Sequence, residues 1–231
     1  MIPKIIHFIW VGDEPKSKII EDCIKTWHQK LPDYEIKEWN ESNFDMNENH
    51  YIQQAYQAKK WAFVSDYIRC KVLYEMGGVY LDTDVRVLDK LDDLLNDKGF
   101  IGFENEQYLS AAIIGAEKHS PFMQEMIDYY QDLDFTFDEK NPYQGVNTFS
   151  VTEHLERYGL VKNNQEQTLE NGFHIYPDGV LCNPSKDSKT IHLFTGTWLN
   201  GLNLKKRIVL ALKQHISTPH GASLYQKIIR R

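Results

Sequence analysis

The run WAFVSDYIRCKVLYEMGGVYLDTDV, from Trp61 to Val85, decides the fold. It continues a helix-like stretch that begins near Tyr51, reads as one or two helices and stops at Gly77-Gly78, where glycine lets a helix end in a left-handed conformation. Val79 to Val87 then alternates as a strand. Working outward, the same grammar recurs. Ile5 to Val11 is a short apolar run closed by Gly12-Asp13, expected to be a buried first strand rather than a leader peptide. Ser17 to Leu31 has helical spacing in Ile20, Ile24, Trp27 and Leu31 and is stopped by Pro32. Tyr34 to Trp39 is a short alternating strand. Strands and helices in this order predict an α/β fold with a mostly parallel central sheet flanked by helices and ligands at the carboxyl ends of its strands.

The chemistry is densest in the same run. Asp82 and Asp84 are two apart, so in extended chain both carboxylates point one way and Thr83 the other. Two hard oxygen ligands on one side suit Mg²⁺ or Mn²⁺, which can hold a diphosphate; the plainer reading is a solvated strand end. The apolar Val79, Tyr80 and Leu81 just before the pair favour the site reading, because the carboxylates then sit where a buried strand surfaces. Asp66 and Arg69, three apart on the preceding helix, share a face. They form either a surface ion pair worth well under ~1 kcal/mol or a site pair. In the second reading Asp66 binds ribose or sugar hydroxyls and Arg69 turns its planar fork of donors to sugar or phosphate.

Composition narrows the class. With 231 residues, 42% hydrophobic and 26% charged, the chain can fill one core and is neither collagen-like nor coiled coil. Cys23, Cys70 and Cys182 are far apart and odd in number, which suggests neither a disulfide framework nor a zinc knuckle, and a cytoplasmic location is expected. A net charge of -7 argues against general nucleic-acid binding. No internal repeat or linker interrupts residues 1–203, read as one domain; residues 204–231 form a basic tail, since the last acidic residue is Asp187.

The ordered set IPKIIHFIWVG, W-x₄-PDYEIKEWN from Trp27, A-x-x-SDYIR from Ala62, GGVYLDTDV and a late H-x₅-W resembles the Asp-x-Asp sugar-binding transferases of glycosyltransferase family 32. The clostridial large-toxin glucosyltransferase domains are more distant relatives in the same motifs. The resemblance covers Ile2 to about Trp198. It implies a single GT-A type domain, a nucleotide-sugar donor, a divalent metal, Mn²⁺ or Mg²⁺, and transfer with retention of configuration. By the same resemblance Asp84 is the direct metal ligand and Asp82 holds ribose or sugar and bridges to the metal through water. Asp66 and Arg69 contact the sugar. Trp10 resembles the tryptophan that stacks on uracil, a core indole being the alternative. His192 and Trp198, in IHLFTGTW, resemble the segment that closes over the diphosphate, so that His192 completes the metal shell. The family's Gly-Pro before a later helix has only a loose counterpart in Asn141-Pro142-Tyr143-Gln144-Gly145, which leaves the sugar-selecting residues unassigned.

Three readings compete at this stage. The first is a retaining hexosyltransferase, with UDP-galactose or UDP-glucose favoured over GDP-mannose, acting on a saccharide or lipid-linked acceptor in surface polysaccharide synthesis. A metal-dependent nucleotidyltransferase or phosphodiesterase would also use paired aspartates, but leaves Asp66, Arg69, Trp10 and the late His-Trp segment without roles. A silent binding module is the third. In the tail, a helix over Leu204 to Ile216 places Leu204, Ile208, Ala211, Leu212 and Ile216 on one arc, with Lys206 and Lys213 roughly opposite and Lys205 inside the arc. Such a basic amphipathic helix either docks on the acidic body or holds the protein on an anionic membrane surface, peripherally on the inner face.

Overall fold

The computed structural model describes residues 1–137, 147–195 and 204–229, the side chains of 204–207 and 229 excepted. In chain order the elements are β1 (Ile5–Ile9), α1 (Lys18–Lys30), β2 (Glu35–Trp39), α2 (His50–Gln57), α3 (Trp61–Met76), β3 (Gly78–Leu81), β4 (Val85–Val87), a 3₁₀ turn at Asp92–Asn96, β5 (Gly99–Phe103) and β6 (Leu109–Ala116). There follow α4 (Pro121–Gln131), α5 (Asn147–Glu156), β7 (Gln167–Thr168), β8 (Phe173–Tyr176), α6 (Asp178–Leu181), β9 (Thr190–His192), α7 (Leu204–Lys213) and α8 (Pro219–Ile229).

The central sheet has the order β2-β1-β3-β6-β5-β8-β7. β2, β1, β3, β5 and β8 run one way, and only β6 and β7 run against them. The sheet is therefore mostly parallel in direction, as the alternation of elements implied. Side-chain alternation along β3 shows why helices cover both faces. Tyr80 joins a core with Phe63, Tyr67, Ile68 and Met126 from α3 and α4. Val79 and Leu81 join the opposite one, with Trp27, Leu31, Leu94 and Leu95. α3 is buried on nearly every side, from Phe63 to Leu73. Its sequence accordingly lacks a polar face, as expected of a helix at the centre of a layered fold.

The Gly77-Gly78 exit has a specific cause. Gly77 adopts φ 66° and ψ −177°, a region essentially reserved for glycine and not the left-handed helical one that was expected. Gly78 has φ 116°, and a Cβ there would lie 2.7 Å from the Ile5 carbonyl oxygen and 2.9 Å from His7 Nε2. The turn is thus pressed against His7, which is fully buried. Trp39 Nε1 can only donate, and it lies 3.0 Å from His7 Nδ1. Nε2 therefore carries the proton and donates to the Gly77 carbonyl at 2.8 Å.

Burial holds the His7 pKa down at about 4, against a partial lift from the Gly77 hydrogen bond. Because the folded pKa lies below the unfolded 6.5, this group stabilises the fold fully above pH ~6.5 and loses that contribution as pH falls toward 4, about 3 kcal/mol in all. Asp66, raised to about 6, works in the opposite direction over an overlapping range. The His7 contribution therefore shows as a difference: the gap in urea-unfolding free energy between wild type and His7→Gln should narrow by about 2–3 kcal/mol between pH 7.5 and 4.5. A gap independent of pH would show that His7 titrates in the folded protein as it does in the unfolded chain.

Three further expectations are corrected. The first strand ends at Ile9, not Val11. Val79 to Val87 is not one strand: the chain leaves the central sheet after Leu81, turns at Asp82-Thr83-Asp84 with the Val85 N–H donating to the Asp82 carbonyl at 2.9 Å, and enters a separate antiparallel pair with β9. Extended-chain geometry therefore does not align Asp82 and Asp84; the turn does. α1 fixes its far side, because Trp27 Nε1 donates to the Val85 carbonyl at 2.8 Å and Thr26 Oγ1 accepts from the Val87 N–H at 3.0 Å.

The third correction concerns the tail helix. Lys213, expected on the polar side, is buried, whereas Ile208, Ala211 and Leu212 of the expected apolar arc are exposed. Ile216 and Ala222 pack with Cys23, Leu88, Ile191 and Leu193, so α7 and α8 are anchored on the body by the residues that follow α7. No described helix is long and apolar enough to cross a membrane.

Candidate active site

A cleft of about 1120 Å³ opens at the carboxyl ends of β1, β3 and β5, where Trp10, Asp82 and Glu104 respectively follow the strands. Its wall also carries Asp66, Arg69, Asp84, His192, Thr195 and Lys213. Every sequence-predicted site residue within the described chain lies in this one space. Trp198 and the Asn141–Gly145 segment fall outside the described residues.

The β4–β9 pairing brings the late segment to the Asp-x-Asp turn. Val85 is opposite His192, and the Leu193 N–H donates to the Asp84 carbonyl at 3.1 Å. His192 Nε2 then lies 3.1 Å from Asp84 Oδ1. Asp84 Oδ2 accepts from both the backbone N–H and Oγ1 of Thr195, each at 2.9 Å. Phe194 between them sits at φ 56° and stacks on His192, ring centroids 4.0 Å apart. A non-glycine residue held there costs on the order of 1–3 kcal/mol. Here it reverses the chain so that Thr195 reaches the carboxylate.

Burial alone would raise the Asp84 carboxyl. The His192 charge and the hydrogen bonds from His192 and Thr195 outweigh it and hold the pKa at about 2. Burial likewise works against a charged His192, yet Asp84 keeps the imidazole well above its ordinary value. The two form a buried ion pair.

Asp82 is held differently. Tyr80 Oη donates to its Oδ1 at 2.5 Å, and Arg69 Nη2 lies 3.6 Å from the same oxygen. Arg69 is itself buried, its guanidinium 4.4 Å from the centre of the Tyr80 ring. Its Nη2 bonds Asp66 Oδ1 and Ser65 Oγ at 2.8 and 2.9 Å, its Nη1 the Ala111 carbonyl at 2.6 Å and its Nε the Ser65 carbonyl at 3.1 Å. The surface-pair reading of Asp66 and Arg69 is therefore excluded. Burial raises Asp66 to about 6, with Asp82 adding to the effect and Arg69 and Asn147 opposing it. Arg69 spends most of its donors on the protein, which makes it the clamp between α3, β6 and the Asp-x-Asp turn.

Ligand atoms of Asp82, Asp84 and His192 all lie within 4.8 Å of one another, and His192 Nδ1 is buried without a partner among the described residues. Two carboxylates and an imidazole are a sound donor set for a divalent cation. Sequence reading passed over four lining residues. Glu104 follows the apolar strand GFIGF just as Asp82 follows β3, so the same signal was present. Thr195 lies within the quoted IHLFTGTW, Tyr80 was read only as buried, and Lys213 was placed on the wrong face of α7.

The geometry agrees with the comparisons to known proteins. Residues 17–101 match the family model described as glycosyltransferase sugar-binding region containing DXD motif, a span that includes Asp66, Arg69, Asp82 and Asp84. An uncharacterized protein of Arabidopsis thaliana is 40% identical over 79 residues, 33% of this chain and 11% of the relative. The inositol phosphoceramide mannosyltransferase 3 of Schizosaccharomyces pombe is 29% identical over 133 residues, 54% of this chain and 36% of the relative. The chain thus spans about a third or less of the length of these curated relatives. Among solved structures, the PaToxG glycosyltransferase superposes with a TM-score of 0.52 at 21% identity, covering 68% of this chain and 69% of that one, a likeness of fold.

The matched region is a sugar-binding region of the DXD class, and the fold has the GT-A type α/β architecture of the glycosyltransferase it superposes on. The sugar-binding region is specifically the kind the sequence resembles, and that class implies a nucleotide-sugar donor and typically a divalent metal.

Proposed function

We propose that the protein transfers a hexose, with retention of configuration, from a nucleotide-diphosphate sugar to a saccharide acceptor. The observation that carries this reading is the convergence on one cleft of two devices built from different elements and joined through Arg69 and Asp82. The buried Asp66–Arg69 clamp comes from α3, and the Asp82, Asp84 and His192 cluster comes from a turn and a distant strand. Asp82, Asp84 and His192 would hold the ion, and Mn²⁺ suits the mixed oxygen and nitrogen set better than Mg²⁺. When bound, the ion supplies Lewis-acid stabilisation of the diphosphate leaving group.

The chain's own residues do the rest. Thr195 and His192 fix the Asp84 carboxylate, while Tyr80 and Arg69 fix Asp82, so both are preorganised before the donor arrives. Trp10 follows β1, lines the cleft partly exposed, has its Nε1 tied to the Glu14 carbonyl at 2.9 Å and the Lys16 ammonium 5.4 Å from its ring centre, and is assigned to stacking a nucleobase on its other face. Asp66 is assigned to ribose or sugar hydroxyls. The Glu104 carboxyl, raised by burial, stands where it can accept from a sugar hydroxyl.

The toxin-like Trp10 favours a UDP-hexose donor, and the mannosyltransferase relative favours GDP-mannose as the second reading. Incubation with UDP-glucose, UDP-galactose and GDP-mannose plus Mn²⁺ tests both. Slow release of free sugar identifies the donor, whereas release of sugar 1-phosphate, the leaving group of attack on the nucleotidyl phosphorus, would replace this reading with a nucleotidyltransferase or phosphodiesterase. Silence with all three would reject it.

The tail reading extends the proposal to a lipid-linked acceptor at an anionic membrane. The outward Ile208 and Leu212 of α7 and Leu224 and Ile228 of α8 supply exposed apolar surface, and no acidic residue follows Asp187. The intact protein should co-sediment with vesicles rich in anionic lipid at low salt and lose this when Ile208 and Leu212 are replaced by Ser. Failure of the wild type to co-sediment would confine the tail to a packing role.

A further inference from the structure

Among the described side chains of α7, Lys213 is the one for which the fold does something costly. Its side chain is 6% exposed, and an ammonium taken from water is destabilising unless a partner replaces the lost hydration. The partners found are modest. Nζ donates to the His192 carbonyl at 3.2 Å and lies 4.8 Å from the centre of the Phe194 ring. No carboxylate among the described residues comes within ion-pair distance of it, although Asp84 and Glu104 face the same space. Burial accordingly lowers its pKa, against the pull of those two acids.

The direction of the side chain removes the plainer explanation, a lysine lying along apolar surface with its ammonium in water. Lys213 reaches inward across Phe194 and lines the cleft that holds Asp82, Asp84 and His192. His192, Phe194 and Lys213 form a stack, imidazole on phenyl and ammonium over phenyl. One of three N–H donors is spent on the His192 carbonyl, which leaves donors for an anion beside the metal cluster.

We propose that Lys213 binds the diphosphate of the nucleotide-sugar donor and, with it, makes α7 a structural part of the active centre. This rests on the nucleotide-sugar reading of the cleft. Lys213 would neutralise charge on the departing nucleoside diphosphate, whereas Arg69 is committed to Asp66, Ser65 and Ala111.

The test is calorimetric titration of the full-length protein with UDP, GDP, uridine and guanosine in the presence of Mn²⁺. Lys213→Met keeps the stem and removes the charge. It should weaken binding of the nucleoside diphosphate about 10- to 100-fold, the range of a hydrogen bond to a charged group, and leave nucleoside binding unchanged. Lys213→Arg should restore much of the loss. Equal weakening of diphosphate and nucleoside, or no weakening, overturns the assignment while leaving the cleft's nucleotide reading intact. Wild-type protein that binds neither diphosphate overturns both. Lys213→Gln, with melting curves for each variant, guards against a fold defect: a loss of diphosphate affinity at unchanged melting temperature supports the proposal, and a loss only where melting falls counts against it.

Discussion

Asp84→Asn should retain less than a hundredth of wild-type transfer activity and should no longer gain thermal stability from added Mn²⁺. The activity loss follows from removing a preorganised charge worth a few kcal/mol to the leaving group. The structure also implies a stability effect. Asp84 accepts from His192 at one oxygen and from two Thr195 donors at the other. An Asn amide must present its N–H₂ to one of these donor sets, and His192 loses the charge that keeps it protonated. The metal-free variant should therefore melt lower than wild type, since breaking a buried pair costs about 3–5 kcal/mol, less whatever His192 recovers by becoming neutral. Asp82→Asn is the contrast. Its side chain is 29% exposed and its ion pair with Arg69 is long, at 3.6 Å, so activity should fall comparably with a smaller change in melting. Full activity of Asp84→Asn at limiting Mn²⁺ would remove the metal reading.

That contrast shows where the sequence was legible. The order of strands and helices could be read because their apolar periodicities are local, and Asp66, Arg69, Asp82 and Asp84 stand on one short run whose motif carries its own chemistry. What could not be read depends on contacts between distant segments. The Asp-x-Asp residues looked like one strand because Val79 to Val87 alternates throughout. Only pairing with β9, more than a hundred residues later, turns the chain at Thr83 and divides the strand between two sheets. The tail helix was inverted for a related reason. Its apolar arc is the better hydrophobic face in isolation, but the cleft side offers Lys213 a carbonyl and an aromatic ring, and Ile216 and Ala222 already anchor the segment. Local amphipathicity ranks faces by apolarity and has no way to weigh an inward cation.

Arg69 is the second site at which one side chain decides both folding and chemistry. Arg69→Met should destabilise the protein by about 3–5 kcal/mol, because Asp66 would keep its burial and lose its only cation among the described residues. Its carboxyl, already raised to about 6, would rise further and be protonated at neutral pH, so the variant should recover part of its stability in mildly acidic buffer. Arg69→Lys separates charge from geometry. Lysine can still pair with Asp66, but one ammonium cannot also serve the Ala111 carbonyl, the Ser65 carbonyl and Ser65 Oγ, which the planar fork reaches together. The freed β6 backbone and the shifted Asp82 should then lower kcat about 10- to 100-fold, with a smaller change in donor KM, because the geometry lost matters most as charge develops on the leaving group. Wild-type kcat in Arg69→Lys would show that charge alone holds Asp82 and that the clamp is a feature of the core and not of catalysis.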